Sequence, residues 1–446
     1  MKRYRRLLLL SIAFTALAAC SGGSSSLERS ALPFDSSPDR QHTKPALTPI
    51  QHVVIVIQEN RTVDNLFQFL PGANTQSHGL NPRKHHIKLK AISMTAAYDL
   101  SHVHGYWLRE YHAGKMDGFE AEQCRGACPH HAAFGYVPQS EVQPYYTLAE
   151  TYAFADEFFQ TNQGPSFPGH QYLVSGSAAV ADGSSYISIN NPIQPEGGTT
   201  GGCDSPSGST TRLIDIGGHR NSFAYPCFQR SSLMNELDAA GLSWRYYQAK
   251  PGPGLWNAVD AIQSIWSNKT EYNANVISPS AQVLTDIANG QLADVTWITP
   301  TARASDHSGV TDGSGPSWVA SIVNAIGQSP YWSNTAIFVT WDDWGGWYDH
   351  VPPKVFNPYE LGFRVPLLVI SPYAKTGYVS HVPYEFGSIL KTTEEIFGLP
   401  SLGTTDARSS DLMDCFDFGS VRPHFKPIPT KFPPSHFFHL PAQEID

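Results

Sequence analysis

At two places in the chain, acidic or amide side chains follow directly on a run of apolar residues. In QHVVIVIQENRTVDNLF the β-branched run from Val53 to Ile57 leads through Gln58 into Glu59 and Asn60. In TAIFVTWDDWGGWYDHV the run from Thr335 to Trp341 leads into Asp342 and Asp343. Such runs read as strands buried on both faces, and groups placed where they stop arrive together at one end of a sheet. Neighbouring strand residues point to opposite faces, so Asp342 and Asp343 converge only if the backbone turns there, which Gly345-Gly346 makes easy. Converging carboxylates repel each other unless a cation lies between them, so their convergence would call for a metal. Two blander readings also fit: Asn60 capping a helix that starts at Arg61 with Glu59 in solvent, and an exposed Asp-Asp turn.

The third chemical group lies in TNQGPSFPGHQYLVSG, where Gly164-Pro165 and Pro168-Gly169 enclose Ser166. This punctuation predicts a tight turn that presents the hydroxyl outward, and a plain turn serine fits it as well. A serine attacks at neutral pH only when a base or a metal eases its deprotonation. The chain has no GxSxG elbow, so a metal suits Ser166 better than a Ser-His-Asp triad. Three histidines follow closely on aspartates: His102 after Asp99, His307 after Asp306, and His350 after Asp349. A nearby carboxylate can fix an imidazole's tautomer and keep it protonated, which suits a donor to a phosphoryl oxygen or a leaving group. His85, His86, His104, His112, His130 and His131 read as surface or supporting residues.

The elements that position these groups alternate. Apolar runs at Val295 (VTWITP), Thr335 (TAIFVTW) and Val365 (VPLLVISP) read as buried strands; SLMNELDAAG, SPSAQVLTDIANG and WVASIVNAIG carry helical spacing and end in Gly. The alternation predicts an α/β protein, a layered domain around a largely parallel sheet, with active groups beyond the carboxyl ends of the strands. With 41% hydrophobic residues, a sizeable core is available, and 36 Gly and 34 Pro among 446 residues announce long loops. No repeat or compositional break divides the region from residue 49 to 446, which reads as one catalytic domain.

The first nineteen residues have a basic start and a short apolar stretch, as an export signal does. They run into Leu17-Ala18-Ala19-Cys20, which resembles the lipobox of bacterial lipoproteins, and residues 20–48 read as a lipidated Cys followed by a flexible tether. An exported protein anchored to a membrane through Cys20 is expected, with Ser21 after the Cys favouring the outer membrane. The formal charge is −9, and losing the leader removes four basic and no acidic residues, which argues against a nucleic-acid partner. Of the remaining cysteines, Cys124 with Cys128 and Cys203 with Cys227 are the expected disulfides, leaving Cys415 free. The histidines beside Cys128 lack a familiar zinc spacing.

Taken together, VIVIQENRTVDNLF, SHVHGYWLREYHAGKMDGF, GPSFPGHQYLVSG, SDHSG, WDDWGGWYDHVPP, GFRVPLLVISPYAKTGYVSH and FGSILKTTEEIFGLP resemble, in matching order over about residues 50 to 418, the bacterial phosphoesterase family that includes phospholipases C and acid phosphatases. The resemblance implies an alkaline-phosphatase-like three-layer α/β/α sandwich and hydrolysis of a phosphate ester, either a phosphomonoester or a phospholipid, by a serine nucleophile through a phosphoserine. It implies a divalent metal held by Glu59, Asn60, Asp342 and Asp343 with the Ser166 oxygen beside it, and phosphoryl contacts from His102, His307 and, as an addition, His350. Oxygen ligands of this kind admit Mg, Mn, Ca, Fe or Zn. The chain ends soon after the last motif, whereas longer phospholipase C relatives carry further C-terminal domains, an expectation that tilts towards a phosphatase-like role over a phosphatidylcholine-type phospholipase C. An inactive binding or adhesion lipoprotein that keeps the fold is the competing class, and the presence of the serine and every ligand weighs against it.

Overall fold

The computed structural model describes residues 48–422 and 424–444. Cys20, the leader and most of the tether lie outside the described residues. Eight strands form the main sheet: β1 (His52–Gln58), β2 (Ala153–Ala155), β3 (Trp244–Tyr247), β4 (Val276–Ile277), β5 (Val295–Ile298), β6 (Thr335–Trp341), β7 (Leu367–Ile370) and β8 (Tyr378–Ser380). Their spatial order is β4-β3-β5-β1-β6-β7-β2-β8. Only β7 runs antiparallel to its neighbours, so the sheet is largely parallel, as the alternation predicts. The central strands β1 and β6 pair over seven residues, and every residue from Val53 to Ile57 is inaccessible to solvent. Burial on both faces explains why these runs are continuously apolar rather than alternating.

Helices cover both faces. Four matter most for the site: α1 (Gln143–Thr151), α2 (Ser166–Ser175), α3 (Gly315–Gly327) and α4 (Phe386–Phe397). Ile55 sits beside Trp297, whose indole N–H donates to the Leu173 carbonyl of α2 at 3.2 Å. Three residues on, Gln58 and Trp341 are register partners on the opposite face. Trp341 packs edge-on against Tyr145 of α1 at 5.2 Å, and Gln58 reaches the Gly315 carbonyl of α3. The sheet therefore lies between α2 on one side and α1 with α3 on the other, the expected three-layer arrangement.

The helix stops differ slightly from expectation. Gly241 ends the SLMNELDAA helix in the left-handed conformation, whereas α3 starts earlier, at Gly315-Pro316, and runs through Gly327 to a cap at Gln328. Cys124–Cys128 and Cys203–Cys227 are disulfides and Cys415 is a buried thiol, all as expected. Among the described residues no helix is long and apolar enough to cross a membrane.

Candidate active site

The strand alternation that turns Gln58 and Trp341 towards α1 and α3 turns the next residues, Glu59 and Asp342, towards α2. Ser166 is the first residue of α2, and His170 lies one turn further along the same helix face. The three elements meet. The Ser166 hydroxyl lies 3.3 Å from Asp343 Oδ2 and 3.4 Å from Glu59 Oε2. His170 Nε2 lies 3.0 Å from Glu59 Oε1 and 3.8 Å from Asp342 Oδ2. All of these side chains are inaccessible to solvent. The Ser166 hydroxyl is thus not presented outward: Gly164-Pro165 do form the approach to the helix, but Pro168 and Gly169 lie in its first turn. A proline is tolerated there because the first-turn N–H groups have no intrahelical acceptor to lose.

Asn60 is no helix cap. Thr62 caps the short helix Val63–Leu66, its hydroxyl accepting from the Asn65 N–H, while Asn60 takes a left-handed backbone with φ 63°. Asparagine tolerates that region better than most residues. The kink lets the Asn60 N–H donate to Asp342 Oδ1 at 3.0 Å, and the Arg61 N–H donate to the Asp343 carbonyl at 3.0 Å. Asp343 Oδ1 accepts from the Gly345 N–H at 2.7 Å, so the Gly345-Gly346 turn, both residues at positive φ, brings the two aspartates onto one point as the sequence requires for a cation site. The exposed Asp-Asp turn is therefore excluded.

These residues fit a metal. Asn60 Oδ1 and Asp342 Oδ2 are buried oxygens with no hydrogen-bond donor among the described residues, and an unsatisfied buried acceptor is costly. Atoms of Glu59, His170 and Asp342 lie within 4.8 Å of one another, close enough for one ion.

His102 and His307 stand on the approach to this cluster, with ring centroids 5.8 Å apart. His102 donates from Nδ1 to the Leu100 carbonyl at 2.8 Å, and its Nε2 lies 3.3 Å from the Asn60 amide nitrogen. His307 donates from Nδ1 to the Ser308 carbonyl at 2.8 Å. Backbone carbonyls, rather than the preceding aspartates, thus meet Nδ1 of each ring and fix its orientation, with the His102 Nε2 turned towards Asn60. Asp306 instead accepts from Tyr145 and Trp341 at 2.8 Å each, and burial pushes its carboxyl up to about 6 against the opposing pull of Arg61. His350 keeps other company: Nδ1 meets Asp64 Oδ2 at 2.7 Å and Nε2 meets Asn74 Oδ1 at 3.0 Å. Burial works against its charge, but the Asp64 carboxylate outweighs this and holds its pKa above the usual value. The neighbouring Asp349 is clamped by Arg364 at 2.8 and 3.1 Å, so an arginine already supplies the positive charge in that group.

The Phosphoesterase family profile matches residues 50–400, a span holding every residue of this cluster. The chain belongs to the Phosphoesterase family. Membership assigns this phosphoesterase its reaction class, hydrolysis of phosphoric esters. It is 25% identical over 429 residues to the hemolytic phospholipase C of Pseudomonas aeruginosa, covering 83% of this chain and 56% of that one. It is 24% identical over 451 residues to phospholipase C B of Mycobacterium tuberculosis, covering 85% and 80%. To the non-specific phospholipase C1 of Arabidopsis thaliana it is 23% identical over 406 residues, covering 79% and 68%. The chain thus spans little more than half of the Pseudomonas enzyme. Similar solved structures include an alkaline phosphatase superfamily protein from Vibrio parahaemolyticus (TM-score 0.36, 9% identity, covering 82% of this chain and 72% of that one). Another is murine ectonucleotide pyrophosphatase/phosphodiesterase 5 (TM-score 0.39, 7% identity, covering 82% and 100%).

Of the residues expected at the site, Glu59, Asn60, Asp342, Asp343 and Ser166 come together with His102 and His307 beside them, and His350 is held elsewhere by Asp64 and Asn74. His170 of this phosphoesterase was missed. Its signal was its position four residues after Ser166, hidden because the surrounding Gly and Pro read as a turn rather than as a helix start.

Proposed function

We propose that this phosphoesterase cleaves its ester with Ser166 as nucleophile, beside a divalent metal held by Glu59, Asn60, Asp342 and Asp343. The observation that carries the reading is the approach of one buried hydroxyl to two carboxylates at the carboxyl ends of adjacent parallel strands. Bound there, the metal would lower the cost of deprotonating Ser166 and offset the charge of the phosphoryl group. Ser166 Oγ attacks phosphorus in line as the ester oxygen departs with a proton, leaving a phosphoserine; water then attacks that phosphorus and restores the hydroxyl. His102 and His307 hold the phosphoryl oxygens or pass the proton through Nε2, with Nδ1 of each tied to a backbone carbonyl. His170 is an additional ligand candidate, and one imidazole among carboxylates suits Mn, Fe or Zn better than Mg or Ca.

The names of the curated relatives support a phospholipid diester as the substrate, and a tether at Cys20 would hold the enzyme beside such a substrate. Acid quench during turnover, followed by peptide mass spectrometry and metal analysis of the same sample, tests the mechanism. Phosphate on the Ser166 peptide with about one bound metal per chain is expected. Turnover without any phosphorylated intermediate, in protein that retains its metal, would favour attack by water.

A further inference from the structure

We propose that the cavity beside Ser166 recognises a second anionic group on the substrate, a carboxylate or a further phosphate carried near the scissile phosphate. This rests on the reading of Ser166 as the reacting centre. The cavity, of about 580 Å³, is walled on one side by Val103 and His104, which directly follow His102. Ile189 and Asn190 form a second side. They adjoin the serine: the Ile189 carbonyl packs 2.5 Å from where a Cβ on Gly164 would stand, and the next residue, Asn191, accepts the Phe167 N–H at 2.9 Å. Arg212 and Arg220 complete the wall.

No Asp or Glu lines this cavity, although the whole chain carries a formal charge of −9. Asp215, at the hairpin tip, is an acid in contact with His219 of the wall. It is occupied locally, accepting the N–H groups of Gly217 at 2.9 Å and His219 at 3.0 Å and pairing with the His219 ring. Among the histidines of the wall, His104 is held neutral: burial lowers its pKa to about 4 despite its bond to the Gln163 carbonyl, and the charge of Arg220 adds to the lowering. The positive charge of the wall therefore belongs chiefly to the two guanidinium groups.

Arg212 is placed before any ligand arrives. The hairpin formed by Thr211–Ile214 and Ser222–Ala224 pairs Arg212 with Phe223, whose ring lies 5.0 Å beneath the guanidinium. Arg212 Nη1 also donates to the Arg220 carbonyl at 3.1 Å. The Cys203–Cys227 disulfide closes the segment that contains the whole hairpin. Guanidinium forks match carboxylate and phosphate geometry, and the ordering of Arg212 means that less freedom is lost when an anion binds. A quaternary ammonium group would meet like charge here and no carboxylate partner.

Substrate pairs differing by one carboxylate test this: glycerol 3-phosphate against 3-phosphoglycerate in solution, and phosphatidylethanolamine against phosphatidylserine in mixed micelles. The wild type should favour the carboxylate member by about 10-fold or more in kcat/KM, mainly through KM, and Arg212→Gln/Arg220→Gln should collapse that ratio towards one. Arg212→Lys/Arg220→Lys, which keeps the charge, should retain part of it. Preference in the soluble pair alone assigns the site to small phosphate esters, and in the micellar pair alone to lipid headgroups; either supports the cavity's role. A ratio near one in both pairs, or a preference that survives the double Gln variant, overturns it. The Ser166 reading fails separately, on the phosphoserine measurement, whatever the ratio shows.

Discussion

Ser166→Ala separates a nucleophile from a structural hydroxyl because the structure makes the two expectations differ by orders of magnitude. The hydroxyl contacts Asp343 and Glu59 at 3.3 and 3.4 Å, longer than the 2.5–3.0 Å typical of O–H···O bonds, so it contributes little to the fold. Losing it should cost about 1 kcal/mol or less and shift the melting temperature by about 2 °C at most in a domain of this size. If Ser166 attacks phosphorus, the same change removes the reacting atom, and turnover should fall by about 10⁴-fold or more, equivalent to about 5 kcal/mol of barrier. The assay is hydrolysis of bis(p-nitrophenyl) phosphate and p-nitrophenyl phosphate, with metal content and thermal unfolding measured on the same preparation. Activity within about tenfold of wild type, in folded protein with its metal bound, refutes the reasoning. A large loss of activity accompanied by a collapse in melting temperature refutes it too, because the hydroxyl would then be structural.

Four further outcomes are expected. Asp343→Asn should lose metal and activity together, read by metal analysis beside the rate, since it removes a ligand's charge and leaves Ser166 in place. His170→Gln should weaken metal retention by about 10- to 100-fold, with activity restored by excess metal; unchanged retention would remove His170 from the site. His104 stays neutral in the fold to about pH 4, so the unfolded chain takes up its proton first as pH falls below about 6.5. That linkage costs on the order of 3 kcal/mol between those values, and His104→Gln should flatten the loss in pH-dependent unfolding. Cys20→Ser should move the protein from the membrane to the soluble fraction, and an unchanged membrane fraction would dismiss the lipid anchor.

The sequence shows the acidic groups at the ends of β1 and β6 plainly because burial on both faces leaves an uninterrupted apolar run, and a carboxylate after such a run can only stand at its end. Period-2 alternation does the rest, carrying Glu59 and Asp342 to the face that α2 covers. Sequence adjacency misled where distance in the fold governs. His350 follows WDDWGGWYD closely, yet its partners are Asp64 and Asn74, nearly three hundred residues away. The aspartates before His102 and His307 suggest a tautomer lock that backbone carbonyls in fact provide at Nδ1. Arg212 and Arg220 carry no local signal, since the hairpin and its disulfide bring them to one cavity wall.

Two glycines show how the geometry of this cluster is enforced. A Cβ on Gly169 would stand 2.7 Å from the Asp342 carbonyl, and one on Gly345 would stand 2.5 Å from the Asn60 carbonyl. The first contact docks the serine helix against the end of β6, and the second docks the β6 turn against the end of β1. In both, backbone meets backbone with no flexible side chain between, so the distances among Ser166, Asp342 and Asn60 follow from main-chain packing rather than from rotamers. A cation site needs its oxygens placed to within about half an ångström, and rigid elements supply that better than long side chains do. The Gly-Pro punctuation around Ser166 therefore belongs less to a turn than to this approach: Gly164 and Pro165 deliver the chain to the helix start, and Gly169 lets that helix reach the strand that carries the carboxylates.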